Sequence, residues 1–114
     1  MLAPTIELPE VFNVTAEFVD RHIREGRADR IALRHEGRAF TYGEVAEAAN
    51  RVGNALQALG VERENRVVLL LYDAPEFAAS FFGAIKIGAV PVPVNTMMRA
   101  PDYEYVLNDS RAKV

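Results

Sequence analysis

The sequence predicts an α/β fold, and three observations in one stretch carry the prediction. Val67 to Leu71 form an unbroken apolar run, the pattern of a parallel strand buried on both faces. The segment after it carries Phe77, Ala78, Ala79, Phe81, Phe82, Ala84, Ile85 and Ile87, broken only by Ser80, Gly83 and Lys86. A helix with almost no polar face is a core helix. Ala89 to Val94 follows at once as a second apolar run, and a strand, a crossover helix and a strand in this order make a right-handed parallel unit. Three other helical segments are legible. They are too few to cover both sides of such a sheet and wrap its helix, so apolar surface is expected to remain for further parts of a longer polypeptide.

The remaining elements follow from local chemistry. Residues 1–12 contain Pro4 and Pro9 and no helical stripe, which predicts an extended arm ahead of an α/β portion spanning 13–114. Asn13 caps a helix running to Glu25, with Phe18, Val19 and Ile23 inward and Gly26 as its stop. Arg30 to His35 alternates with Ile31 and Leu33 inward, Glu36-Gly37 turns the chain, and Arg38 to Phe40 completes a short hairpin at a sheet edge. Thr41-Tyr42-Gly43-Glu44 fits a capping box, opening a second helix with the stripe Val45, Ala48, Ala49, Val52, Leu56 and Leu59. Val61 to Asn65 form a polar loop into the buried strand. Asp73 is the expected cap of the core helix, with Pro75 in its first turn and Glu76 near the positive end of its dipole. Pro91 and Pro93 remove two donors from the second parallel strand. Pro101 opens a last helix with Tyr103, Val106 and Leu107 inward, and Arg111 to Val114 read as the start of another strand. The result is a mixed, mostly parallel sheet with flanking helices and a short β-hairpin. Tyr42, the Val67 to Leu71 strand and the Phe77 to Ile87 helix are assigned to its core.

Composition narrows the function classes. A chain of 114 residues with 25% charged and 50% hydrophobic residues and a net charge of −3 is an ordinary globular domain, not a disordered tail or a nucleic-acid binder. There is no cysteine, so disulfides and thiolate chemistry are excluded. The start, MLAPTIELPEVFN, lacks the basic and apolar regions of a secretory signal, and Asp73, Glu76 and Lys86 interrupt every stretch that approaches the length of a membrane span. A cytoplasmic location is the expectation.

Each chemical signal has a structural explanation. Gly83-x-x-x-x-Gly88 has the spacing of a phosphate loop but is followed by Ala89-Val90 and ends a helix instead of starting one, so close packing and a C-cap explain it better. His22 and His35 are the only imidazoles, with no acidic residue at metal-ligand spacing, and are expected at the surface. Arginines 21, 24, 27, 30, 34 and 38 are interleaved with Asp20, Glu25, Asp29 and Glu36, the pattern of an ion-paired surface. Asn13-Val14-Thr15 matches a glycosylation acceptor, but helix capping accounts for Asn13. Ser80 and Ser110 lack a nucleophile motif. No catalytic, cofactor-binding or metal-binding residue is assigned.

Two motifs carry a family resemblance. Thr41-Tyr42-Gly43-Glu44-Val45 resembles the first core motif of the acyl-adenylate-forming (AMP-binding) superfamily, and Ala84 to Val94, AIKIGAVPVPV, resembles its second. Asn50-Arg51-Val52, Gly60-Val61 and Arg66-Val67 fall where members carry a similar helix, loop and strand. From about Phe12 onward the chain is similar to benzoate-CoA ligases and their aromatic-acid relatives. The resemblance implies the N-terminal part of the adenylate-forming fold, truncated relative to a parent enzyme. That parent would use ATP and magnesium to activate an aromatic carboxylate as an acyl-adenylate, then transfer it to coenzyme A. The phosphate-binding loop, the nucleotide contacts and the catalytic lysine come later in such enzymes, so this chain alone is expected to bind no cofactor and to be inactive. Met97 and Met98 follow Thr96 with Arg99 displaced, so the basic residue that approaches the coenzyme A phosphates in some relatives is not carried over. The implied partners are the rest of the parent chain and, through exposed apolar surface, other copies. The alternatives are a part of another acyl-CoA synthetase or adenylation domain, and a self-sufficient α/β binding module.

Overall fold

The structure, a computed structural model, describes residues 3–114; positions 1 and 2 of the expected arm lie outside the described residues. Residues 3–12 carry neither helix nor strand and expose Ile6, Leu8 and Val11. A first helix, α1, covers 14–24, its middle a π-helical turn at Ala16–Asp20 that continues as α-helix at Arg21–Arg24. Asn13 caps it as expected, its side-chain oxygen accepting from the amides of Thr15 and Ala16 at 3.0 and 3.4 Å. The inward face differs from the expected one. Val19 and Thr15 are buried, whereas Phe18 and Ile23 are exposed, because the wider π turn departs from the 3.6-residue period behind the prediction.

Strands β1 (Ile31–His35) and β2 (Arg38–Thr41) form the hairpin, antiparallel and tightly turned, with positive φ at both Glu36 and Gly37. A register shift between Ile31 and Leu33 breaks the alternation, so Leu33 packs inward while Ile31 is exposed. The hairpin is a sheet of its own and not the edge of the parallel one. The 17-residue helix α2 (Tyr42–Ala58) stands between the two in sequence and packs on both α3 and the hairpin strands.

Helix α2 begins at the capping box: the Glu44 amide donates to the Thr41 hydroxyl at 3.2 Å and the Thr41 amide to the Glu44 carboxylate at 2.8 Å. Its stripe buries Val45, Ala46, Ala49, Gly53 and Leu56, while Leu59, expected inward, lies past the last turn and is exposed. Tyr42 is half-buried. Strand β3 (Arg66–Leu69) pairs in parallel with β4 (Val90–Pro93) through the crossover helix α3 (Pro75–Lys86). The cap position of α3 is Ala74, not Asp73, because Pro75 occupies the first helical position and holds its predecessor extended, at φ −140° and ψ 169°. Helix α4 (Ala100–Ser110) follows; Tyr103 and Val106 are half-buried, but Leu107, expected inward, is exposed.

The core sits where α3 meets its neighbours. Leu56, Val61, Val67, Leu69, Ala84 and Ala89 form one buried cluster, flanked by Phe77, Phe81 and Ile87; Val19, Val45 and Ala46 form a second, joined by Phe82. Large apolar side chains buried in this way contribute roughly 2 kcal/mol each. Only Glu76 of α3 is exposed. The expectation of too few helices to cover both sides of the sheet and wrap α3 as well divides in two: α1, α2 and the sheet pack round α3, because small residues bring the helices close, whereas Leu70 and Val90 on the other side of the sheet stay exposed. A Cβ on Gly83 would lie 2.7 Å from the Ala49 carbonyl oxygen of α2. Helix α1 is held by polar bonds to the far turn of α3. The Thr15 hydroxyl donates to the Phe82 carbonyl at 2.7 Å, the Asn13 amide group to the Ile85 carbonyl at 2.8 Å, and Lys86 pairs with Asp20 at 3.1 Å.

Candidate functional surface

The residues singled out for chemistry are placed apart and used structurally. His22 stacks on Tyr42 with ring centroids 4.0 Å apart and accepts a hydrogen bond at Nδ1 from Arg27 Nε at 3.0 Å; His35 lies beside Glu36 at the hairpin turn. Both rings lie at the surface as expected, each partly covered by its neighbours. Among the described residues no group of three or more His, Asp or Glu side chains could hold a metal ion. Arg21 pairs with Glu17 and Glu25, Arg27 with Glu25, and Arg38 with Glu44, so three of the six arginines of this stretch are ion-paired. The Glu25 carboxyl is held below the usual carboxylate range, chiefly by the hydrogen bond from Arg27 and then by its charge and that of Arg21. Asn13 and Thr15 are both engaged on α3, so the acceptor pattern is a docking device. Gly83 packs on α2, and Gly88, at φ +83°, ends α3.

Two of the open clefts on the surface are informative. One, of about 330 Å³, is lined by Arg38, Phe40, Glu44, Glu47, Arg51 and Glu76, and its cations already pair with Glu44 and Glu47. The other, of about 360 Å³, lies between the ends of β3 and β4 and the start of α3, lined by Tyr72, Asp73, Phe77, Asn95 and Thr96. It contains no nucleophile paired with a base and no cation to hold a phosphate.

The unsatisfied feature is the sheet itself. The amides of Val90 and Val94 donate to the carbonyls of Asn65 and Leu69 at 2.8 and 3.1 Å, so the odd-numbered carbonyls of β3 face β4. On the opposite edge of β3 the Lys113 amide donates to the Arg66 carbonyl at 2.8 Å and the Val68 amide to the Val114 carbonyl at 2.9 Å. Residues 113–114 thus lie along the outer edge of β3, bonded at two points, but the strand expected over Arg111 to Val114 is not formed and the sheet is the β3–β4 pair. The α3 face is closed, with Val67 and Leu69 at 3% and 5% exposure; on the other face Leu70 and Val90 stand 50% and 44% exposed beside half-buried Val68 and Val92. Uncovered apolar surface is what the sequence predicts, but an unbroken apolar run does not say which of its two sides is covered. Among the described residues no helix is long and apolar enough to cross a membrane.

Comparison with known proteins gives this arrangement its context. The AMP-binding enzyme family matches residues 19–114. The chain is 47% identical over 103 residues to a 4-hydroxybenzoate/benzoate-CoA ligase of Rhodopseudomonas palustris, covering 90% of this chain and 19% of the ligase. It is 38% identical to the benzoate-CoA ligase of Thauera aromatica, covering 97% of this chain and 21% of that protein. Its backbone superposes on the crystal structure of an anthranilate CoA ligase in complex with anthranoyl-AMP with a TM-score of 0.86 at 42% identity, over 92% of this chain and 20% of the other. The chain spans about a fifth of the length of these relatives. Its α/β fold is that of the N-terminal subdomain of adenylate-forming enzymes, and the chain belongs to the AMP-binding enzyme family.

Proposed function

We propose that residues 13–114 are the N-terminal α/β portion of an AMP-forming CoA ligase for benzoate or a related aromatic acid, preceded by an extended arm at 1–12. The observation that carries this reading is the match to benzoate and hydroxybenzoate ligases over nine-tenths of the chain or more. In the whole enzyme a carboxylate oxygen attacks the α-phosphorus of ATP and pyrophosphate leaves. The resulting acyl-adenylate then gives its acyl group to the coenzyme A thiol, with AMP as the leaving group. Activation is needed because a free carboxylate is a poor acyl donor, whereas AMP departs readily. Magnesium would accompany the nucleotide. This segment contributes scaffolding, with no catalytic, cofactor-binding or metal-binding residue of its own, in a cytoplasmic protein. The rest of the polypeptide covers the Leu70 and Val90 face, and without it that face and the Ile6 to Val11 arm drive self-association and binding of a hydrophobic dye.

A chimera tests the reading. Residues 13–114 replace the matching segment of the Rhodopseudomonas palustris ligase, and benzoyl-CoA formation is measured beside the isolated 114-residue chain. The chimera is expected to retain activity and the isolated chain to release no pyrophosphate from ATP and benzoate. A folded chimera unable to form either adenylate or thioester removes the ligase assignment, and pyrophosphate release by the isolated chain removes the scaffolding role.

A further inference from the structure

The two edges of the parallel sheet are chemically unlike. In the β3–β4 ladder the amides of Val90 and Val94 point to β3, and the two-residue repeat of a strand places that of Val92 with them. Positions 91 and 93 therefore direct their backbone nitrogens to the outer edge of β4, and both are proline. Neither proline costs the ladder a bond; together they strip the outer edge of its donors and leave only carbonyls. A strand arriving there could donate to these carbonyls but would find no donor for its own, and so would lose half of the bonds of a ladder. The other edge behaves differently, since Arg66 and Val68 of β3 already exchange bonds with residues 113–114.

We propose that Pro91 and Pro93 make the outer edge of β4 refuse a strand, so that strand addition to this sheet, from the same polypeptide or from another copy, is confined to the side where residues 113–114 lie on β3. Free edges with donors and acceptors in register template pairing between chains, and proline is one of the means by which proteins blunt them. Here the two prolines sit on the only face of the strand where they do so without loosening β4.

The test is the double variant P91A/P93A of the 114-residue chain, which restores two outward amides. Sedimentation velocity is expected to show self-association at least about tenfold stronger than in the parent sequence, with the helical circular dichroism unchanged. A variant that folds and associates no more than the parent overturns the proposal. The control is Val92→Pro, which removes an inward amide one residue away and is expected to abolish cooperative unfolding; a V92P protein as stable as the parent overturns the ladder assignment on which the proposal rests. Should the double variant not fold, hydrogen exchange on the parent chain decides. The Val90 and Val92 amides are expected to be protected at least about a hundredfold, and free exchange at Val92 overturns the proposal.

Discussion

Helices α3 and α4 invite comparison. They have similar lengths of 12 and 11 residues, each has a proline within its first two positions, and each follows one of the two parallel strands. Yet α3 buries Ala79, Gly83 and Ala84 and leaves only Glu76 exposed, whereas α4 buries nothing. Neither length nor the way the helices begin explains the difference. Side-chain size and polarity do: alanine and glycine let α2 approach α3 to backbone contact, while α4 presents Glu104, Tyr105, Asn108 and Asp109 to solvent. A crossover helix becomes part of a core only when its sequence allows neighbours on more than one side.

The largest perturbation is expected from Gly83→Ala. The added methyl would sit 2.7 Å from a backbone oxygen and 2.9 Å from the Val52 Cβ, so the two helices must separate. Urea unfolding is expected to show a loss of about 3 kcal/mol, against less than about 0.5 kcal/mol for Asn108→Ala on α4. Equal effects at the two sites would dissolve the contrast between the helices.

Thr15→Val probes the polar attachment of α1 to α3. The residue is fully buried and its hydroxyl is bonded to the Phe82 carbonyl, so the isosteric change is expected to cost about 1.5 kcal/mol in denaturant melts. A smaller cost, about 1 kcal/mol, is expected for Thr41→Ala, which opens the capping box of α2. Glu25→Gln should have the smallest effect, seen only in the pH profile. The folded Glu25 carboxyl titrates below its unfolded value, so its contribution is full above the usual carboxylate range and is lost as pH falls through the lower folded value. The variant is expected to flatten that part of the acid limb in a thermal melt series, and an unchanged limb would show that the Arg27 contact is not formed in solution.

Local chemistry made much of this fold legible. The capping box at Thr41 needs only a three-residue spacing, and the packing role of Gly83 follows from its place in an apolar helix. Phe18 and Ile31 were misplaced because a π turn and a strand irregularity each change the period on which an inward assignment depends. Asp73 looked like a cap because capping residues are recognised by type, but Pro75 fixed the boundary one residue later. The two core motifs exposed the family, since they are short and contiguous. The open sheet face and the orientation of Pro91 and Pro93 depend on the β3–β4 register, which no single segment contains.

The grip of Asn13 and Thr15 on α3 spans 72 and 67 positions of sequence. On a ribosome, where the N-terminus emerges first, those two side chains have nothing to hold until the last turn of α3 has left the exit tunnel. Helix α1 is thus a late arrival in the folding order despite being synthesised before α3, and slowing translation between the codons for α1 and α3 would lengthen the time for which Val19 is open to chaperones.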